Sequence, residues 1–118
     1  MGGLLGAVWL AGFGWLSRRF ERQADLYGAQ VTTVDPRACT IPCSVHPASP
    51  VDRPPRHAVC TTAAKNFCDA LSQIAVLNGI PTHARSWRHS SIASRMRHLR
   101  KLAADPAAAA RFHRLIAA

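Results

Sequence analysis

The chain has 118 residues, room for one domain and one modest core. Fifteen Lys and Arg stand against six Asp and Glu, giving a formal net charge of +9 and a pI of about 11.0. That balance favours anionic partners, either nucleic acid or the negative face of a membrane. Strand-like alternation, internal repeats and a glycine-rich phosphate loop are all missing, which argues against a nucleotide-cradling enzyme and for a mostly α fold class.

Three regions follow one another: 1–30, 31–57 and 58–118. The first reads as one long helix. Its start, Gly2 to Leu16, is an apolar run without an ionisable side chain, and Arg18, Arg19 and Arg22 follow at once. A bilayer crossing needs about 20 apolar residues, so the run is short for a complete span and reads as the tail of a transmembrane helix. Trp9 and Trp15 suit an interfacial belt, and the arginines place the C-terminal region on the cytoplasmic side. Small residues such as Gly2, Gly6 and Gly12 weaken a helix in water but are common at helix contacts in lipid. Beyond the run the helix turns amphipathic, with Leu16, Phe20, Ala24 and Tyr27 at helical spacing and Gly28 near its expected end.

The second region is irregular. Six of the eight prolines lie in it (Pro36, Pro42, Pro47, Pro50, Pro54 and Pro55), a density no helix survives. It also holds Cys39, Cys43 and His46 close together, with His57, Cys60 and Cys68 further on as candidates to complete a metal site. The C-x3-C-x2-H spacing of the first three is compatible with half of a structural zinc site, although it matches no common finger. The alternative is that Cys39, Cys43, Cys60 and Cys68 are reduced thiols, which behave as small apolar residues when buried.

The third region is helical again. Ala58 to Leu77 has apolar positions at Val59, Ala63, Phe67, Ala70, Leu71, Ile74 and Leu77, and Asn78-Gly79 followed by Pro81 ends it. Ser90 or Ser91 caps the next helix, which runs to about Ala104 with Ile92, Met96, Leu99 and Leu102 on one face. Asp105-Pro106 opens a last short helix.

Two stretches bear candidate chemistry. In Gly14 to Ala29, Glu21 and Asp25 are four apart on one helix face, where like charges repel unless a cation or a histidine lies between them. On spacing alone this is an ordinary solvated face, with Arg18 and Arg22 as neighbours. In Ser86 to Leu99, His89 lies just before a helix start and Arg95 lies six residues on, a disposition in which both can point into a cleft and donate to a developing oxyanion. On its own this stretch reads as a basic helix face.

Taken together and in this order, the two stretches resemble the membrane gluzincins, the zinc metallopeptidase family of the CAAX prenyl protease and the heat-shock protease HtpX. Ser17 to Asp25, SRRFERQAD, looks like the family segment that follows a transmembrane helix. The resemblance makes Glu21 a ligand of the catalytic zinc and Asp25 the residue that orients a ligand histidine. Arg88 to Met96, RHSSIASRM, looks like the family's later histidine–arginine element, which makes His89 and Arg95 the groups that bind substrate and stabilise the tetrahedral intermediate. Ser90 stands where the family often has proline.

The family's H-E-x-x-H is absent. The six histidines are His46, His57, His83, His89, His98 and His113, and none opens that motif. Either two zinc ligands and the general base come from outside the chain, as for a fragment of a longer peptidase, or the chain is a decayed relative of the family. The resemblance implies the C-terminal part of a membrane-bound zinc metalloendopeptidase, with one catalytic zinc completed by a missing upstream half, a peptide or protein substrate, and no activity by itself. Two other readings of the residues stand beside it. One is a small basic membrane-anchored interaction protein without chemistry. The other is a nucleic-acid-binding module built on the cationic stretch Arg85 to Lys101, although nucleic acid is not the expected partner.

Overall fold

The computed structural model describes residues 1–33, 36–39, 43–46 and 57–117. Pro42, Pro47, Pro50, Pro54 and Pro55 of the proline-rich region lie outside the described residues. Among those described, the chain forms four α-helices and one short 3-10 turn, with no strand: α1 (Gly2–Val31), the turn Pro36–Ala38, α2 (Thr61–Leu77), α3 (Ile92–Ala104) and α4 (Pro106–Ala117). The mostly α reading holds.

α1 is 30 residues long, about 45 Å at the usual rise per residue. It runs through Gly28 instead of stopping there. Gly28 is used for packing: a Cβ at this position would lie 2.5 Å from the Phe67 ring of α2. The helix ends at Thr32, whose hydroxyl and amide both donate to the Gly28 carbonyl at 2.7 and 3.2 Å. α2 begins one turn later than the apolar pattern suggests, because Cys60 is extended and serves as the N-cap residue. It ends where the sequence indicates. Gly79 takes φ +63°, the Ile80 amide donates to the Ala75 carbonyl at 2.8 Å and the Gly79 amide donates to that of Val76 at 3.1 Å, which is the Schellman arrangement. Ser91 caps α3, its hydroxyl accepting from the Ser94 amide at 3.1 Å. Asp105 caps α4 by accepting from the Ala107 amide at 2.9 Å.

The core lies where α2 and α3 cross, with α1 and α4 laid against them. Leu26 and Ala29 enter from α1, Ala64, Cys68 and Leu71 from α2, Leu99, Leu102 and Ala103 from α3, and Ala108 and Ala109 from α4. Small alanines let the helices approach closely, but they contribute little. A fully buried leucine is worth about 1.5–3 kcal/mol, and few are present. Such a core gains much from cross-links between elements.

The stripe Leu16, Phe20 and Tyr27 does not face this core. All three are exposed, and α1 buries Gly14, Asp25, Leu26 and Ala29 instead. The inward face carries carboxylates because polar partners wait for them. Leu4, Leu5, Val8 and Trp9 in the first half of α1 are also exposed. Among the described residues, no helix is long and apolar enough to cross a membrane.

Candidate functional site

Helical spacing places Glu21 and Asp25 one above the other on the inner face of α1. The segment before α3 is laid against that face. Gly14 permits the contact, since a Cβ there would sit 2.5 Å from the Trp87 carbonyl oxygen. Arg18 secures it by donating Nη1 to that same oxygen at 3.1 Å. Trp87 also rests near Phe13, with ring centroids 6.1 Å apart, and the Arg88 guanidinium lies 5.7 Å from the Phe13 ring centre.

Docked in this way, the segment delivers both candidate residues from 68 to 70 positions away. His89 Nδ1 donates to Glu21 Oε1 at 2.7 Å, and the Ser90 amide donates to Glu21 Oε2 at 3.0 Å. An ionised carboxylate only accepts, so Nδ1 carries the proton of this bond. One turn further along, Arg95 grips Asp25 with both arms of its fork, Nε to Oδ2 at 2.8 Å and Nη2 to Oδ1 at 2.6 Å. The hydrogen bonds to Asp25 raise the Arg95 pKa above its ordinary value against the opposing effect of burial.

The two pairs differ in solvation. Asp25 is 2% exposed, whereas the Glu21 side chain is 16% and that of His89 54% exposed. Asp25 with Arg95 is thus a buried tie that fixes α3 against α1, and Glu21 is held by His89 and Ser90, which line a cleft. The cleft measures about 390 Å³ and is polar and cationic, with Arg18, Arg22, Arg85, Arg97, His83 and His89 on its walls. The structure brings Glu21, Asp25, His89 and Arg95 together, and it gives Asp25 an arginine as partner where the resemblance implies a histidine. No known protein family, curated protein or solved structure matches the chain.

A second group of side chains gathers elsewhere. The ligand atoms of Cys39, Cys43, His46 and Cys60 all lie within 4.8 Å of one another. Three of the four are the C-x3-C-x2-H of the proline-rich region. The fourth, Cys60, carries no spacing signal that links it to the others. It arrives because the chain returns to the start of α2, where Cys60 is the N-cap residue. His57 and Cys68 are not part of the group. His57 stacks on His113 with ring centroids 3.4 Å apart, and Cys68 is buried, donating to the Met96 carbonyl at 3.7 Å. The four residues are close enough to bind a metal ion.

Proposed function

We propose that this chain is the C-terminal part of a membrane-bound zinc metalloendopeptidase, with Glu21 as a ligand of the catalytic zinc and His89 and Arg95 as groups on the substrate side. The observation that carries the reading is the meeting of Glu21 and Asp25 with His89 and Arg95. Four residues from two remote stretches, the ones the resemblance to the gluzincins singles out, meet as two hydrogen-bonded pairs beside a cationic cleft that His89 lines.

A carboxylate beside a cleft fits one ligand position of a catalytic zinc site, which takes three protein ligands and keeps one position open. Glu21 alone is too few, and no H-E-x-x-H exists among the 118 residues to supply the others. Bound there, zinc would polarise the scissile carbonyl and activate a water. The residues of this chain have their own tasks. Glu21 presents its carboxylate from a helix whose orientation the buried Asp25–Arg95 tie holds. His89, at the cleft wall, donates a proton or a hydrogen bond to substrate oxygen. The arginines of the cleft favour an anionic group on the peptide, such as an acidic side chain or a terminal carboxylate. Exposed Leu4, Leu5, Val8 and Trp9, followed by Arg18, Arg19 and Arg22, support attachment to a membrane with the rest of the chain on its cytoplasmic face.

The test begins with the reading frame immediately upstream of Met1, which is expected to encode H-E-x-x-H. The complete product should cleave peptides in a zinc-dependent manner, and the purified 118-residue chain should not. An upstream frame without the motif, or zinc-dependent cleavage by the chain alone, overturns the reading.

A further inference from the structure

We propose that Cys39, Cys43, His46 and Cys60 bind one structural zinc ion, which fastens the proline-rich segment to the N-terminus of α2. This site is separate from Glu21 and independent of any peptidase activity.

The distances have the scale of a coordination shell. In tetrahedral zinc sites, Zn–S of about 2.3 Å and Zn–N of about 2.0–2.1 Å place neighbouring donor atoms about 3.5–3.8 Å apart. Here the sulfurs of Cys39 and Cys60 are 3.6 Å apart, Cys43 Sγ is 3.7 Å from His46 Nδ1, and Cys60 Sγ is 3.7 Å from the same nitrogen. The donor set, three sulfurs and an imidazole, is one that zinc takes in closed structural sites. Four protein donors leave no open position for a water or a substrate.

The surroundings suit thiolates. The Thr61 amide, in the first turn of α2, donates to Cys43 Sγ at 3.5 Å, and the Thr62 hydroxyl donates to Cys39 Sγ at 3.5 Å. Bonds of this kind orient ligands and offset their charge. Cys60 and Cys43 also lie at the positive end of α2, which favours negative charge.

The consequence is a cross-link between the proline-rich region and the start of α2. Cys39 and Cys60 are 21 positions apart, with Pro42, Pro47, Pro50, Pro54 and Pro55 between them in sequence. The Ser44 hydroxyl donates to the Ala103 carbonyl at 3.3 Å, so the clasped segment also touches the end of α3.

The experiment uses the 118-residue chain, purified under reducing conditions, with metal content measured by mass spectrometry. About one zinc per chain is expected, falling to about a tenth or less in the Cys39→Ser/Cys43→Ser double variant. Cys68→Ser and Glu21→Gln should retain the metal. Cobalt added to the metal-free chain should give the absorption of a tetrahedral thiolate site, and His46→Cys should keep metal with a cobalt spectrum shifted towards four sulfurs. If the double variant fails to fold, the cobalt spectra of the wild type and His46→Cys decide the matter. Wild-type chain that carries no zinc and gives no tetrahedral cobalt spectrum overturns the proposal. So does zinc that persists in the double variant, or a Cys39–Cys60 disulfide in freshly isolated protein.

Discussion

The two polar clusters join remote parts of the chain by opposite means. Glu21, Asp25, His89 and Arg95 stand on regular helices or at a helix cap, and their charges satisfy one another directly: carboxylate against guanidinium, carboxylate against imidazole and amide. Cys39, Cys43, His46 and Cys60 stand in an irregular segment and at a helix start, and their soft donors crowd together without a matching cation of their own. The first cluster holds its shape by charge pairing. The second, on our reading, holds it through an ion. Removing metal should therefore separate them.

The sharpest way to break this comparison is Arg95→Ala. It strands the Asp25 carboxylate, 2% exposed, without its partner. A loss of about 3–5 kcal/mol in urea denaturation is expected, and it should be the same with and without chelator. A loss that appears only in metal-loaded protein would tie the two clusters together. Replacing both partners, Asp25→Leu with Arg95→Leu, should recover most of the stability.

Gly14→Ala comes next. Its new Cβ would meet the Trp87 carbonyl at 2.5 Å, and overpacking of this kind costs about 1–3 kcal/mol. The substitution should also push the 86–90 segment off α1. The check is the His89 imidazole signal in NMR, which should lose its dependence on Glu21.

Glu21→Gln should scarcely change folding. Its partner His89 is more than half exposed, so solvent screens the pair and the effect should stay within about 1 kcal/mol. In the complete enzyme the same substitution should remove hydrolysis, which separates a functional carboxylate from a structural one.

The smallest effect concerns His98, which belongs to neither cluster. Burial first, and then the charge of Arg22, lower its pKa below the ordinary 6.5, and its Nε2 is buried without a hydrogen-bond partner among the described residues. The folded state thus binds this proton less readily than the unfolded state. The contribution is complete above pH 6.5 and is lost as pH falls below that value towards the folded pKa. Melting of the wild type against His98→Leu between pH 7 and pH 5 isolates it: the wild type should lose more stability over that interval.

The end of α2 and the starts of α3 and α4 were legible because they carry local punctuation, whereas Gly28 did not end α1. Asn78-Gly79, Ser91 and Asp105-Pro106 act within a turn of their own positions, and the structure uses all of them. The orientation of α1 was not legible from hydrophobicity. Its stripe of Leu16, Phe20 and Tyr27 looks like a buried face, yet Asp25 is inside because an arginine 70 positions away neutralises it. A period of 3.6 residues reports which side chains align, and the partners decide which side turns inward. The Glu21 cluster could be anticipated only through the order of two motifs. Cys60 could be named among the candidate metal-binding thiols but not told apart from Cys68, since nothing near it in sequence sets its distance from Cys39 or His46.

The proposed function makes the carboxylate of Glu21 a zinc ligand in a longer peptidase, and the direct measurement is peptide hydrolysis by the full gene product carrying Glu21→Gln. The prediction is loss of zinc-dependent cleavage, by about a thousandfold or more on the scale of single catalytic-group removals, with folding and the Cys39–Cys60 metal content intact. Undiminished cleavage by that variant would contradict it.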